Sequence, residues 1–589
     1  MTWYPSSTWR GTARTRPRAG GGALRPVTAT LSALALTVLA PAALLPSASA
    51  AGGTTCTVDG TPHTTTPTSP QITASDDAAH VIDCPDGIRP GDTVTGGALA
   101  NTVTIRGQGL SGTLTLRGQD TVTIAPTVTG ADGIGANGVL RAAPPVAGVP
   151  RGLNATVTGG GPGAVIAGAG NAGTIDIAGI PADITLTGGI GNRSNSAGPG
   201  NSGTITPGTT GTLTVVGGDN PEANKDTDTG SSKTVTTPGD GNTGTVNAGT
   251  GDTSLVVRGG AATYFGGSET YPADGNIGTI TGSDTGTITV VGGRSTDGPG
   301  SEAGTGNIGT ITGGAHSGTI TVVGGNRVNT EQHGRRGGIG NIGTITGGPT
   351  GQGARRIVVT GGDNTNGPGG TATSTAFQRG SLIRATHTDG VTIEVTGGRG
   401  TTGGAGNRPS LFPLNTLPST IAGGPGDDTI TVTGGQGTTF GGPGNDTSTV
   451  QTGPLLTKDV PGVVDGGDGD DTITVRASHN APDVGGAGTF GNNGTINGGT
   501  GNDTITVTGG NTTDPGLLSY GGNGNSTKGK VDGGGGNDTI ALTAGTPQLS
   551  LAGLVGNTGN YGTVNGGTGT NTCTITPASP LLHGPTNCP

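Results

Sequence analysis

The sequence predicts an all-β fold: a right-handed parallel β-helix or β-roll solenoid of about 30–35 residues per coil, with one motif turn and one variable loop in each. Three observations lead there. Glycine supplies 129 of the 589 residues, aromatics 2% and charged residues 11%, so large apolar side chains are too scarce for a globular core. The apolar residues alternate with threonine in short runs. In 504–508, Ile505 and Val507 share one face and the threonines the other, the two-residue period of a strand. A Gly-Asn-x-Gly-Thr signature then recurs, with its asparagine at Asn171, Asn201, Asn242, Asn276, Asn307, Asn341 and Asn492 and echoes at Asn525 and Asn560. Such a period marks an array whose thin coils each bury a few side chains against their neighbours. Glycine does not fall at every third position, which excludes collagen, and the regular alternation argues against disorder.

The chain opens on an address. Arg10, Arg14, Arg16, Arg18 and Arg25 precede an apolar stretch at 31–45, and Ala48-Ser49-Ala50 has the small residues of a cleavage site. Residues 1–50 therefore read as a secretory signal peptide cut near Ala50/Ala51, and the expected location is secreted or extracellular. No other segment is apolar enough to span a membrane. Cys56, Cys84, Cys573 and Cys588 allow three pairings. Proximity favours Cys56–Cys84 and Cys573–Cys588, each tying down one end of the solenoid in an oxidising compartment. The seven histidines are scattered and read as solvated surface, and no cysteine or histidine spacing suggests zinc.

Residues 51–165 are expected to form an N-terminal leader and the first coils, a cap. Within it, 51–75 is rich in Thr and Pro and reads as extended. Short strands follow at Thr93–Thr95, Thr102–Ile105, Thr113–Leu116 and Thr121–Ile124, as first coils or as a small sandwich cap, and 130–150 reads as a long turn. Residues 166–420 carry the regular repeat without the acidic turns of the later coils. Each coil has two strands, such as Gly309–Thr312 and Thr319–Val323, then Gly-Gly and a polar loop. Loops such as Pro221–Ser232 and Arg327–Gly338 vary in length and are expected to leave on one side. Residues 577–589 form a disulfide-tied tail.

From Gly423 the turns become explicit. Gly423-Gly424-Pro425-Gly426-Asp427-Asp428 is followed by the same pattern at Gly441, Gly442, Gly444 and Asp446, and at Gly466, Gly467, Gly469 and Asp471. It recurs at Gly498, Gly499, Gly501 and Asp503, and at Gly533, Gly534, Gly536 and Asp538. A sixth turn, from Gly566, carries Asn571 at the Asp position and Cys573 at the apolar one. The glycines permit backbone angles that side chains forbid. Each Asp sets a carboxylate among turn carbonyls, the oxygen cluster a hard cation such as Ca²⁺ selects.

Over about 150 residues this pattern resembles the hemolysin-type (RTX) calcium-binding nonapeptide repeat, Gly-Gly-x-Gly-x-Asp-x-apolar-x. The resemblance implies a calcium-binding β-roll over 421–576 with Ca²⁺ held between stacked turns. Its ligands would be Asp428, Asp446, Asp471, Asp503 and Asp538 and the carbonyls of the glycine turns, with Asn571 a weaker partner at the last rung. The motif recurs at separated intervals rather than in tandem, which implies one calcium-bearing edge and one loop-bearing edge. Upstream turns keep the geometry and lose the ligand. Gly318 stands at the Asp position, Asp284 is out of place, and Gly249–Asp252 is the nearest echo.

Other chemistry has thinner support. The pairs Asp427/Asp428 and Asp470/Asp471 suit catalytic carboxylates of a polysaccharide-modifying β-helix, lyase or epimerase-like, but also a turn ligand beside a solvent-facing partner. Arg335-Arg336 and Arg355-Arg356 read as solvated charge. Beyond residue 50 there are nine aromatic residues and no Trp, few for sugar-stacking platforms. No Ser-His-Asp set, phosphate loop or basic stripe for nucleic acid stands out. Outward Thr-x-Thr pairs at 185/187, 204/206, 212/214, 287/289, 319/321, 429/431, 472/474 and 504/506 would stack into ladders that resemble ice-binding faces. Threonine is equally a good polar strand former. The expected function is a secreted, calcium-stabilised structural or interaction protein that meets a cell-surface, matrix or polysaccharide partner.

Overall fold

The computed structural model describes residues 52–143, 151–163, 166–192, 194–223, 236–264, 273–296, 303–316, 318–328, 337–349, 351–365, 368–371, 381–408, 418–434, 437–440, 447–451, 457–478, 489–512, 521–546, 558–577 and 585–588. Residues 1–50, expected to be a signal peptide, the motif turn 441–446, Arg335-Arg336 and most of the variable loops lie outside these residues. Within them the chain is all-β, without a helix, and therefore without one long and apolar enough to cross a membrane.

Two long parallel sheets form the body. In the first, each coil's strand pairs with the next from Val81–Cys84 to Thr572–Thr576, without a break. The second runs likewise from Gln71–Thr73 to Thr563–Asn565. Parallel pairing in a fixed register stacks like on like. Leu255, Ile288, Ile320, Ile357, Ile393, Ile430, Ile473 and Ile505 form one buried column, and Ile280, Ile311, Ile345, Ile383 and Ile421 part of another. Each such side chain contributes about 1.5–3 kcal/mol by burial, so a few per coil suffice.

Some coils add a third short strand that the sequence does not announce: Asn220–Ala223, Ala262–Tyr264, Ser295–Thr296 and Arg327–Val328, again in parallel register. It follows the Gly-Gly corner. There the backbone meets its own return path: Gly218 N–H donates to Gly198 O, Gly239 N–H to Gly218 O, and Gly260 N–H to Gly239 O. The zigzag continues through Gly293, Gly304, Gly325, Gly338, Gly362, Gly370 and Gly398. A Cβ at Gly218 would overlap Gly189 O, and one at Gly239 would overlap Gly198 O. Much of the glycine is thus spent on a seam where two backbones touch. The feet of the variable segments line up along it.

Beside the seam runs an asparagine ladder. Asn171 Nδ2 donates to Asn201 Oδ1 at 2.7 Å, and the chain of amides continues through Asn242, Asn276, Asn307 and Asn341 at 2.7–2.8 Å. A second ladder links Asn492, Asn525 and Asn560. All these asparagines are buried. An amide carries donor and acceptor together, so a stack of them satisfies itself without water.

The ends depart from expectation in part. Residues 51–75 are no extended leader: Thr55–Val58 and Thr61–Thr64 form an antiparallel hairpin that covers the edge strand Val81–Cys84. The outer strand, Thr61-Pro62-His63-Thr64, carries a proline, which blunts that edge. Within 130–150, Val139–Ala142 is a strand of the second sheet rather than part of a turn. Both disulfides are local, Cys56–Cys84 and Cys573–Cys588. The threonine pairs divide between two faces. Thr204/Thr206 stack with the second sheet, while Thr319 and Thr321 sit in first-sheet columns interrupted by Arg356 and Glu394.

Candidate metal centre in the motif turns

Each described motif turn uses its glycines in two ways. Those at the second and fourth motif positions have positive φ: Gly424 and Gly426 at 102° and 97°, Gly467 and Gly469 at 112° and 127°, and likewise Gly499, Gly501, Gly534 and Gly536. That is the left-handed region where only glycine is unstrained. The first glycine has ordinary φ, and close approach explains it. A Cβ on Gly466 would overlap both Asp471 Oδ2 and the Gly498 carbonyl oxygen; Gly423, Gly498 and Gly533 repeat the arrangement.

The aspartates form a ladder of their own. Asp428 N–H donates to Asp471 Oδ1 at 2.7 Å, Asp471 N–H to Asp503 Oδ1 at 2.8 Å, and Asp503 N–H to Asp538 Oδ1 at 2.9 Å. Above them Val391 N–H donates to Asp428 Oδ1 at 2.6 Å. The rung after Asp428 is Asp471, 43 residues on. In the intervening chain Gly437–Phe440 still stacks in parallel on Gly400–Thr402, whereas Thr447–Gln451 forms an antiparallel pair with 457–461. Asp446, Gly441, Gly442 and Gly444 lie outside the described residues. The described ladder therefore carries one carboxylate per coil and no Asp446 rung between Asp428 and Asp471.

One oxygen of each carboxylate is satisfied; the other is not. Oδ2 of Asp428, Asp471, Asp503 and Asp538 is buried and has no hydrogen-bond partner among the described residues. It lies against the same side of the first glycine as a carbonyl oxygen of the next coil, from Gly466, Gly498, Gly533 and Gly566 respectively. Two acceptors side by side in a buried spot repel. Burial accordingly pushes the Asp428 and Asp471 carboxyls up to about 7 and Asp503 up to about 6, and raises Asp538. Neighbouring carboxylates add to the rise, Asp503 and Asp428 on Asp471 for example.

The last rung is an internal control. Asn571 Oδ1 accepts Asp538 N–H at 2.8 Å, as an aspartate would, but its Nδ2 donates to Asn587 O at 3.3 Å. Where the other rungs set oxygen against oxygen, this one sets a donor against an acceptor. The aspartate rungs reach the same balance only with a positive species beside Oδ2, a cation or a proton. Oxygen donors alone, one carboxylate plus backbone carbonyls, are the set that suits a hard cation. Among the described residues no three His, Cys, Asp or Glu side chains converge on one point, so backbone oxygen would complete each shell.

Asp427 and Asp470 point the other way and are exposed. Asp427 Oδ1 accepts Asp470 N–H at 2.8 Å, and Asp470 Oδ1 accepts Asn502 N–H at 2.6 Å. Both are tied to the next turn rather than gathered as a carboxylate pair. Upstream, the strand register puts Gly318, Arg355 and Val391 at the motif-Asp position. Thr253, not Asp252, holds it in the earlier coil, and its hydroxyl donates to Gly208 O at 2.6 Å. Arg355 and Arg356 pair across coils with Asp389 and Glu394 at 3.1 and 2.8 Å.

Sequence reasoning missed a second stack. Asp274 N–H donates to Asp240 Oδ1 at 2.8 Å, and burial raises these carboxyls to about 7 and about 6. The repeated Asp-Gly-Asn at 240–242 and 274–276 was the available signal. Two histidines expected at the surface, His80 and His387, are buried. Comparison with protein-family profiles, with curated proteins and with solved structures found no match to this chain.

Proposed function

We propose that this is a secreted calcium-binding structural protein. Its 421–576 segment takes up Ca²⁺ along the aspartate ladder, stabilising a solenoid that presents variable loops to an extracellular partner. Asp428, Asp471, Asp503 and Asp538 would hold the ions with the carbonyls of Gly466, Gly498, Gly533 and Gly566, and Ca²⁺ would supply the positive charge these paired acceptors call for. The observation that carries this reading is the contrast between four buried, partnerless Oδ2 atoms and the satisfied Asn571 amide. Composition agrees: residues 421–540 hold thirteen Asp against four Lys or Arg, so without cations like charges accumulate where the turns stack. Binding available only to the folded form adds directly to stability. Titration of the mature protein with Ca²⁺, followed by calorimetry and circular dichroism, tests it. Saturable binding with a rise in β signal is expected. A heat and spectrum indifferent to Ca²⁺ would remove the proposal.

A further inference from the structure

The N-terminal cap contains three residues in the order that acyl-transfer enzymes use. His80 Nδ1 lies 2.7 Å from Asp59 Oδ2, and Ser75 Oγ lies 3.0 Å from His80 Nε2. The sequence gives no hint of it, since the three are scattered over 59–80 in a hairpin turn, a loop and a strand edge.

The hydrogens decide what the cluster does. A serine nucleophile needs a bare Nε2 to take its proton. Here Nε2 also lies 3.0 Å from the Ser75 carbonyl oxygen, which can only accept, while the Ser75 hydroxyl donates to Asp77 Oδ1. Nδ1 faces a carboxylate, again an acceptor. Both ring nitrogens therefore carry hydrogen, which makes the ring an imidazolium.

The geometry points to a pH-sensitive clasp: a charged His80 locks the capping hairpin onto the first coil, and loss of its proton loosens that cap. Asp59 sits at the hairpin turn with φ of 51°, exchanging backbone contacts with Val81: its N–H donates to Val81 O at 2.9 Å and its Oδ1 accepts Val81 N–H at 2.9 Å. His80 thus joins that turn to the 75–79 loop. The charged groups around the ring are Asp59 from the hairpin and Asp77 through Ser75. Asp76 is engaged by Arg117 at 2.6 Å and by Ala98 N–H at 3.0 Å, and Gly97 of the next coil packs on the ring without charge. The hydrogen bond to Asp59 foremost raises the histidine above its ordinary value, against burial. Asp59 is correspondingly lowered, by the Val81 N–H first and His80 second.

A raised folded value sets the sign. The clasp's contribution is complete below the unfolded value of about 6.5 and is lost as pH rises through the folded one. The Cys56–Cys84 bridge still tethers the hairpin to strand Val81–Cys84, so opening is local and reversible.

The test uses the full mature chain. His80 is titrated by NMR, and amide exchange of 55–81, corrected for intrinsic rates, is followed at about pH 5.5 and about pH 9, either side of histidine's ordinary range. The expected result is a His80 ring that titrates above the ordinary histidine value, with protection of Asp59 and Val81 lost at the higher pH. In His80→Gln those amides exchange rapidly at both. A serine-directed fluorophosphonate serves as the second probe and is expected to leave Ser75 unlabelled. A ring already neutral at the lower pH, protection independent of pH, or covalent labelling of Ser75 would each overturn the clasp; labelling would mean a nucleophile instead.

Discussion

Asn571 accepts the Asp538 backbone N–H at 2.8 Å, as Asp538 accepts that of Asp503 at 2.9 Å, yet only Asn571 finds a partner for its second side-chain atom. The chain has solved one problem twice within a single ladder. At the terminal rung an amide supplies the donor covalently; at the others the donor must be recruited.

An amide grafted onto an aspartate rung should therefore do the work of the cation. In chelator, Asp503→Asn is expected to stabilise the motif coils by about 1–3 kcal/mol, the cost of a buried unsatisfied polar group. Asp503→Ala, which also strips the acceptor from Asp471 N–H, is expected to destabilise them with or without calcium. Urea unfolding of both variants in chelator checks the ordering. An Asn variant no more stable than wild type there would contradict the ladder's account.

The carboxyls raised by burial set an unusual pH dependence. Their folded values, about 7 for Asp428 and Asp471 and about 6 for Asp503, lie above the unfolded value near 3.9. The folded form binds protons more tightly, so in chelator stability rises as pH falls from about 8 toward about 5, the reverse of ordinary acid denaturation. Protons and Ca²⁺ then compete, and calcium affinity falls over the same interval. Thermal melts in chelator across that range check the first statement and calcium titrations the second.

Gly466 has an unremarkable φ, so strain predicts that alanine is tolerated there. Close approach to Asp471 Oδ2 and Gly498 O predicts the opposite. Gly466→Ala should cost as much as Gly467→Ala, at least about 1–3 kcal/mol by the scale of core overpacking, and should weaken calcium binding. Calorimetric melts of the two variants compare them.

The asparagine ladder contains its own donors and should ignore calcium. Asn276→Ala removes the acceptor for Asn242 and the donor to Asn307 at 2.8 Å each. A loss of about 2–4 kcal/mol is expected from two buried groups left unpaired, equal in chelator and in excess calcium. A calcium-dependent cost would mean the two ladders are one system.

Much of this architecture was legible. The Ile and Val columns follow from the two-residue period, and the first-coil strands Thr93–Thr95, Thr102–Ile105 and Thr113–Leu116 fall where spacing places them. The Asn signature marked the coil period, though its side-chain ladder shows only once coils are stacked. Coil spacing was less legible: the sequence motif recurs at Asp446, which lies outside the described residues, while the described ladder runs directly from Asp428 to Asp471. Two-residue strands such as Ser295–Thr296 carry no period at all. The His80 cluster was hidden because its members come from three separate segments.

The central claim is that cations hold the motif coils and leave the upstream coils alone. Hydrogen exchange of the chain from residue 51 onward, in chelator and in saturating calcium, tests it most directly, read segment by segment. The account predicts that residues 421–576 lose protection in chelator while 166–360 keeps it, and that calcium restores the former. Equal protection of both segments in chelator, or calcium stoichiometry unchanged after deletion of 421–576, would contradict it.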